Sequence, residues 1–271
     1  MSYNMNEIVA ESDLVFITLD TLRYDIAQKL WEEGKLPHFS KWLSPNGWEQ
    51  RHTPGSFTYA AHHAFFAGFL PTPIAPKKHP RLFATRFAGS ETAVSNTCTF
   101  DAPNIVEGLQ QKGFKTICLG GVGFFNKKTP LSNVFPSLFE ESYWDESFGV
   151  THKYSTQVQL EKAADLLEKN PSPVFLFINI SALHQPNYFY LKNTSEDSIE
   201  DSLQSHSAAL EYVDSQLPIL MNALNKRKQT FVICSADHGT TYGEDGYTGH
   251  RIGHPKVWTV PYLEVLLTKR S

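Results

Sequence analysis

Short apolar runs alternate along the chain with longer stretches of amphipathic pattern. The runs at 14–19, 115–119, 174–180 and 230–234 are rich in β-branched and aromatic residues, and each ends abruptly at a polar residue or a glycine. Runs of this length and composition are typical of strands that are buried on both faces. A further apolar run at 261–268 predicts a last strand near the end of the chain.

Helical patterns lie between these runs, with glycine after several of them. The remaining stretches show little periodicity, and many of them contain proline or serine. They predict loops at 70–103, 122–153, 185–200 and 239–256. The predicted helices cover 24–33, the segment from Ser56 or Thr58 to Ala67, 104–112, 157–169 and 205–225.

The alternation of strands with helices predicts the fold class. It indicates an α/β fold with a largely parallel central sheet that is covered by helices on both faces. The 271 residues contain no internal repeat and no clear linker. We therefore expect residues 1–271 to form a single domain.

Composition and charge narrow the range of partners. Lys and Arg number 24 against 28 Asp and Glu, which gives a net charge of -4 and argues against nucleic-acid or membrane-surface binding. No apolar stretch reaches the length of a membrane-spanning helix, and the N-terminus lacks a signal-peptide pattern. Cys98, Cys118 and Cys234 match no zinc or disulfide spacing. These features predict a soluble cytoplasmic protein, and they leave room for a homo-oligomer.

Three predicted strands are followed by residues that bind metal ions. Asp20 follows the strand at 14–19, His184 comes shortly after 174–180, and Asp237 and His238 come after 230–234. Ligands of open α/β sheets bind outside the carboxyl ends of the strands, so the topology brings these side chains together. Two carboxylates and an imidazole without a basic residue predict a divalent-cation site. Taken singly, each residue is more often a turn, cap or surface residue.

Thr58 is the candidate nucleophile beside that site. At the start of a helix its hydroxyl faces free backbone amides and the positive end of the helix dipole, where anions bind. A metal ion lowers the pKa of a coordinated oxygen, so that a threonine alkoxide becomes attainable near neutral pH. On local sequence alone, a capping role for Thr58 or Ser56 is the commoner explanation.

Motifs spread over nearly the whole chain then resemble one family in its own order. They resemble the alkaline phosphatase superfamily of metal-dependent hydrolases, which includes sulfatases, type I phosphodiesterase/nucleotide pyrophosphatases and phosphoglycerol transferases. The motifs are ITLDTLRYD (17–25), LPHFSKWL (36–43), FTYAAHHAFFAGFLP (57–71), IVEGLQQKGFKTICLGG (105–121), SALHQP (181–186), SADHG (235–239), GEDGYTGH (243–250) and TVPYLEVLL (259–267).

The resemblance implies roles for individual residues. Asp20, Thr58, Asp237 and His238 match one metal site with its nucleophile. The implied cofactor is a divalent metal, zinc or manganese with magnesium as a further candidate, and one or two ions are implied.

Four histidines complete the implied site. His184 matches a loop histidine that contacts the transferred group or binds a second metal, and His254 matches the residue that completes that second site. His250 falls where sulfatases place a substrate-contacting lysine. His62 occupies a position at which pyrophosphatases also carry a histidine, which makes it a substrate-binding candidate or a packing residue.

The chain departs from its relatives at four points. Thr21 follows Asp20 where sulfatases use a second aspartate, which weakens a calcium site. Thr58 and its neighbours do not match the cysteine or serine motif from which sulfatases form formylglycine, so that chemistry is not expected. Ile180 stands where two-metal relatives carry an aspartate, and Asn179 or Ser181 would be poor replacements. Because few residues follow TVPYLEVLL, we expect the domain to lack the C-terminal subdomain of larger sulfatases.

The resulting hypothesis is a metal-dependent hydrolase that cleaves small phosphate or phosphonate mono- or diesters through Thr58, with His250 and His184 assisting. Two alternatives remain open. One is a sulfatase-like or phosphoglycerol-type transferase, in which an alcohol rather than water accepts the group. The other is a non-catalytic relative that binds metal or ligand without turnover.

Overall fold

The computed structural model describes residues 3–68, 81–83, 97–99, 104–171, 173–191 and 200–269. Its helices are α1 (Met5–Glu11), α2 (Tyr24–Glu32), α3 (Thr58–Ala67), α4 (Ile105–Gln111), α5 (Pro130–Asn133), α6 (Ser155–Lys169), α7 (Leu203–Leu224) and α8 (Pro255–Trp258). Its strands are β1 (Asp13–Leu19), β2 (Glu49–His52), β3 (Arg81–Phe83), β4 (Thr97–Thr99), β5 (Lys115–Leu119), β6 (Glu141–Tyr143), β7 (Val174–Ile180), β8 (Gln229–Ser235), β9 (Thr241–Tyr242), β10 (Thr248–Gly249) and β11 (Thr259–Thr268).

Among the described residues, seven strands form one central sheet in the order β2-β11-β8-β1-β7-β5-β6. The five strands from β8 to β6 run parallel to one another. At the other edge, β11 is antiparallel to β8, and β2 is antiparallel to β11. The predicted α/β fold with a largely parallel sheet is therefore confirmed.

Each face of the sheet packs against its own layer of helices. Along β1, Val15 and Ile17 join the apolar core that contains residues of α2, α6 and α7, whereas Leu14 joins the core that contains residues of α3 and α4. This division follows from the two-residue period of a strand, which sends alternate side chains to opposite faces. Residues at even positions of β1 consequently face α3, the helix that carries Thr58.

The sequence patterns located the buried elements better than the peripheral ones. The strands predicted at 14–19, 115–119 and 174–180 agree with β1, β5 and β7 to within one residue. The edge strand β2 was not predicted, because all four of its residues are exposed and polar or charged. Within the predicted loop at 122–153 the chain forms α5, β6 and short 3₁₀ turns. The predicted loop at 70–103 lies outside the described residues except for β3 and β4, which pair in parallel.

None of the helices in the described part of the chain is both long enough and apolar enough to cross a lipid bilayer.

Candidate metal centre

The candidate site lies at the carboxyl ends of two adjacent strands. Asp20 directly follows β1, and Asp237 and His238 follow its neighbour β8. All three side chains are fully buried, and one potential ligand atom from each lies within 4.8 Å of the other two. Within the part of the chain that the structure describes, no other group of three such side chains comes so close. The convergence predicted from the strand ends is what the structure shows for these three residues.

Thr58 completes this cluster. It is the first residue of α3, and its Oγ1 lies 3.3 Å from Asp20 Oδ2 and 3.3 Å from His238 Nε2. The residue that precedes the helix is Phe57, and no side chain caps this end of α3. The capping role that the local sequence favoured for Thr58 or Ser56 is therefore wrong. The threonine hydroxyl points at the carboxylate and the imidazole instead.

The cluster has more hydrogen-bond acceptors than protons to share among them. The Nδ1–H of His238 donates to the Gly239 carbonyl at 2.9 Å, which leaves Nε2 as an acceptor. His238 Nε2 and the Asp20 carboxylate then face the single hydroxyl proton of Thr58. In addition, Asp20 Oδ1 and Asp237 Oδ2 are buried without a hydrogen-bond partner. Unpaired buried acceptors are costly, and a cation among them removes that cost.

The pKa shifts of the cluster residues also indicate a cation site. Burial, together with the neighbouring Asp237 carboxylate, raises the pKa of Asp20 to about 7. Burial raises the pKa of Asp237 to about 7 as well, and it lowers the pKa of His238. Without a cation, two carboxylates therefore compete for protons near neutral pH. A divalent ion among them favours both carboxylates in the ionised form and the imidazole in the neutral form.

The donor set and its spacing fit a small divalent ion. Two carboxylates, one imidazole and a hydroxyl are ligands that zinc and manganese accept. Ligands about 2.0–2.1 Å from a tetrahedral ion are separated from one another by roughly 3.3 Å. The two 3.3 Å separations around Thr58 Oγ1 agree with that value. These four residues therefore fit the divalent metal that the sequence implied.

His184 and His250 border the cluster. The Nδ1–H of His184 donates to the Gln185 carbonyl at 2.6 Å, so that the free lone pair is on Nε2. The His250 ring lies 4.5 Å from the His238 ring and 5.8 Å from the His184 ring, measured between centroids. Burial lowers the pKa of His250 to about 3. His250 is therefore a neutral side chain at physiological pH, and it is suited to donating a hydrogen bond rather than to carrying a charge.

His254 lies in a different environment from the one that the sequence suggested. Its Nδ1 accepts from the Lys256 N–H at 3.0 Å at the start of α8, and its Nε2 lies 3.0 Å from Asp245 Oδ2. Neither nitrogen is free to bind an ion. Asn179 and Ser181 are engaged too, since Asn179 contacts Thr18 and Ser181 donates to the Phe148 carbonyl. The structure thus assembles one metal-binding group among the described residues and does not assemble the second.

The family model for sulfatases matches residues 12–267, which is most of the chain. The chain belongs to the sulfatase family. This result confirms the superfamily that the sequence motifs indicated. No curated protein sequence matches the chain.

Solved structures share the fold of this sulfatase-family chain at low identity. One is the zinc complex of the C-terminal periplasmic domain of EcEptC from Escherichia coli (TM-score 0.62, 13% identity, 96% of this chain and 73% of that one). Another is the soluble domain of lipooligosaccharide phosphoethanolamine transferase A from Neisseria meningitidis (0.66, 14%, 94% and 76%). A third is an alkaline phosphatase superfamily protein from Vibrio parahaemolyticus (0.60, 19%, 96% and 60%). At these identities the likeness establishes the fold alone.

His62 of this sulfatase-family protein lies beneath the cluster rather than in front of it. Its ring is fully buried, and its two nitrogens contact the Thr58 carbonyl and the Thr18 hydroxyl. Burial lowers the pKa of His62 to about 3, so the ring is neutral. A side chain with no exposed surface and no free nitrogen does not contact a substrate, so the packing alternative is the one that the structure supports.

Three residues near the site make contacts that the sequence did not predict. Thr21 has a φ of 63°, and its N–H donates to Asp237 Oδ1 at 3.3 Å. The Thr53 hydroxyl donates to the Asp237 carbonyl. Arg23 packs beneath Gly239, where an added Cβ would come 3.4 Å from the arginine Cγ and 2.0 Å from the Lys256 carbonyl oxygen. These contacts join distant loops, and only the folded chain reveals them.

Proposed function

We propose that this protein transfers a phosphoryl group from a phosphate ester to Thr58 and then to a second acceptor. The observation that supports the proposal most directly is the position of the Thr58 hydroxyl. It lies at the start of α3 and 3.3 Å from both Asp20 and His238. The helix start places free backbone N–H groups where a phosphate would bind.

Asp20, Asp237 and His238, with Thr58 as a fourth ligand, would hold a divalent ion. When bound, that ion lowers the pKa of the threonine hydroxyl and neutralises charge on the phosphoryl oxygens. Zinc is our preferred candidate, because the donor set includes an imidazole and a related fold is known as a zinc complex. The family membership supports the metal dependence in general terms.

In the first step, the Thr58 Oγ forms a bond to phosphorus while the bond from phosphorus to the ester oxygen breaks. The hydroxyl proton of Thr58 passes to solvent, and the departing alkoxide takes a proton from solvent. The product is a phosphorylated Thr58 and a free alcohol. His250, which is neutral, donates a hydrogen bond to a phosphoryl oxygen.

In the second step, an oxygen nucleophile attacks the phosphorus of phosphorylated Thr58, and the bond from phosphorus to Oγ breaks. If the nucleophile is water, the protein is a phosphoric ester hydrolase. If it is an alcohol, the protein is a transferase, and the related fold of phosphoethanolamine transferase A favours this second candidate. In either case the nucleophile loses one proton and Thr58 regains one.

Replacing Thr58 tests the nucleophile. We expect Thr58→Ala to reduce turnover of p-nitrophenyl phosphate or bis-p-nitrophenyl phosphate by at least about a thousandfold with zinc present, because the attacking oxygen is gone. Thr58→Ser is the matched control, since it keeps the hydroxyl and should retain measurable turnover. Intact-mass analysis of the rapidly quenched wild type should show one added phosphoryl or phosphodiester group, and it should show none for Thr58→Ala. Turnover by Thr58→Ala at the wild-type rate would exclude the assignment.

A partition experiment separates hydrolase from transferase. Wild-type protein is given bis-p-nitrophenyl phosphate with and without glycerol or ethanolamine, and the phosphorus-containing products are identified by ³¹P NMR. A transferase yields the new ester in proportion to the alcohol added, whereas a hydrolase yields the monoester at every alcohol concentration.

A further inference from the structure

Three polar side chains lie inside the aromatic layer between the sheet and α3. Thr18 of β1 and Asn179 of β7 are register partners in the sheet, and His62 of α3 lies above them. All three are fully buried. The His62 ring is surrounded by phenylalanine rings at centroid distances of 5.3–6.1 Å, namely those of Phe65, Phe66, Phe125, Phe135 and Phe177.

The donor and the acceptor of each hydrogen bond that joins Asn179, Thr18 and His62 can be assigned. The Val122 N–H donates at 3.0 Å to Asn179 Oδ1, and a backbone N–H is always a donor, so the orientation of the amide is determined. Asn179 Nδ2 therefore donates to Thr18 Oγ1, at 3.1 Å. Because Thr18 Oγ1 already accepts this bond, its own proton is available for the remaining neighbour, His62 Nε2 at 3.1 Å.

The chain of bonds ends at the candidate nucleophile. With Nε2 accepting from Thr18, His62 carries its proton on Nδ1, which donates at 2.7 Å to the backbone carbonyl of Thr58. Thr18 and Asp20 are two residues apart on the same strand and its end. Strand β1 therefore positions Thr58 through Thr18 and His62, and its end also positions the Asp20 carboxylate that faces the Thr58 hydroxyl.

We propose that His62 is a positioning residue, held as the Nδ1–H tautomer by Thr18 and Asn179, which fixes the backbone of Thr58 beside Asp20. This inference rests on the proposed function in one respect: the consequence for rate requires Thr58 to be the nucleophile. The tautomer and the hydrogen bonds do not depend on that assignment.

The physical reason is directional. The aromatic rings around α3 bury apolar surface, and that attraction does not specify the position of the helix along its own axis. A hydrogen bond from a rigid sheet does specify it, and a displacement of about 1 Å at a nucleophile lowers rates by up to roughly a hundredfold. A buried imidazole in such surroundings also destabilises the fold unless both of its nitrogens are bonded. The bonds of His62 to Thr18 and to the Thr58 carbonyl therefore fix the position of α3 and also satisfy both nitrogens of the buried ring.

The first test reads the tautomer directly in the metal-free protein. Long-range ¹H–¹⁵N correlation spectra of ¹⁵N-histidine-labelled wild type, assigned with a His62→Gln variant, should show His62 protonated on Nδ1 at neutral pH. Protonation on Nε2, or on both nitrogens, would overturn the proposal whether or not the protein has any activity.

The second test breaks one link of the chain. Thr18→Val keeps the volume and the β-branching but removes the donor to His62, and we expect kcat to fall about tenfold with KM unchanged. Thr18→Ser restores the hydroxyl and should restore kcat to within about twofold of wild type. His63→Gln is the matched control on α3, because His63 is buried beside His62 but contacts Tyr59 and Phe135 instead. It should leave kcat within about twofold.

The outcomes separate this inference from the proposed function. If Thr58→Ala is inactive but Thr18→Val has the wild-type kcat, the positioning role is wrong and the nucleophile stands. If Thr58→Ala is active, the nucleophile is wrong, and the NMR result alone decides the hydrogen-bond chain. If Thr18→Val does not fold or no ester is turned over, hydrogen exchange of the Ala61 amide in Thr18→Ser and wild type decides, because this amide donates to the Phe57 carbonyl at the start of α3. Slow exchange at the same rate in both proteins, together with the Nδ1–H tautomer of His62, supports the positioning role. Fast exchange in wild type contradicts it.

Discussion

The two carboxylates of the metal centre make the stability of the metal-free protein depend on pH. In the folded chain the pKa of Asp20 and that of Asp237 are raised to about 7, whereas an unfolded aspartate titrates near 3.8. Below about pH 4 both states are protonated, and the pair does not affect stability. Between about pH 4 and pH 7 the unfolded chain releases protons that the folded chain keeps, so stability falls as the pH rises. Above about pH 7 the loss is complete.

An Asp237→Asn variant removes one of these buried charges. The asparagine keeps an oxygen for the N–H groups of Thr21 and His238, which bond Asp237 Oδ1 at 3.3 and 2.9 Å. We expect the metal-free variant to exceed wild type in unfolding free energy by on the order of 2 kcal/mol at about pH 8. Near pH 4 the difference should vanish. Urea unfolding at the two pH values measures it, and Asp165→Asn, at a half-exposed acid paired with Lys169, serves as the control.

At the residue scale, the sequence predicted the metal cluster because each of its members adjoins a regular element. Asp20 and Asp237 follow buried strands, and Thr58 begins a helix that ends at Gly68 in the left-handed conformation. The roles of His62 and His254 were not predictable in this way. Their partners, Thr18 and Asp245, are identified by strand register and loop packing, which the linear pattern does not contain.

At the scale of elements, an ion network ties the connection between β9 and α8 to the connection between β1 and α2. The buried Arg23 side chain donates to both oxygens of Asp25, at 2.9 and 2.7 Å, and also to Glu244. Lys256 donates to Asp25 at 2.7 Å. His250 lies on the chain between Glu244 and Lys256, so this network holds the segment that brings His250 to the metal centre.

Glu244→Gln should loosen this segment. The variant keeps the shape of the side chain but removes the charge that faces Arg23, and we expect a loss of about 1–2 kcal/mol in stability. Amide exchange across residues 243–253 should become faster, while exchange in β7 should not change. Glu146→Gln, at the exposed ion pair with Lys128, is the matched control and should have no measurable effect. Unaltered exchange at 243–253 in Glu244→Gln would show that the network does not restrain the segment.

The elements that the sequence predicted well are those whose burial is uniform. All seven positions of strand β7 are buried, so its run of mostly apolar residues is typical of a strand at the centre of a sheet. The orientation of β11 could not be predicted, since its residues are apolar on the side that packs on the core whichever way the strand runs. Its antiparallel pairing with β8 is determined by the path of the preceding chain through α8.

At the scale of the whole molecule, the metal centre lies at one end of the sheet and the two apolar cores lie along its faces. Each core is built from apolar side chains of the central strands and their covering helices, which pack directly against one another. The fold therefore does not depend on the ion for its burial of apolar surface. This distinguishes the protein from small zinc domains, which unfold when the metal is removed.

Removal of the metal should accordingly lower the stability of the protein without unfolding it. At a zinc concentration about a hundred times the dissociation constant, binding adds about 2.7 kcal/mol, which corresponds to roughly 5 °C in Tm for a domain of this size. Differential scanning calorimetry before and after chelation and zinc restoration measures the shift, and circular dichroism should show the same helix content throughout. Asp237→Asn, which lacks one carboxylate ligand, should show a smaller shift on the same titration. Loss of cooperative unfolding after chelation would mean that the packing of the apolar cores depends on the ion.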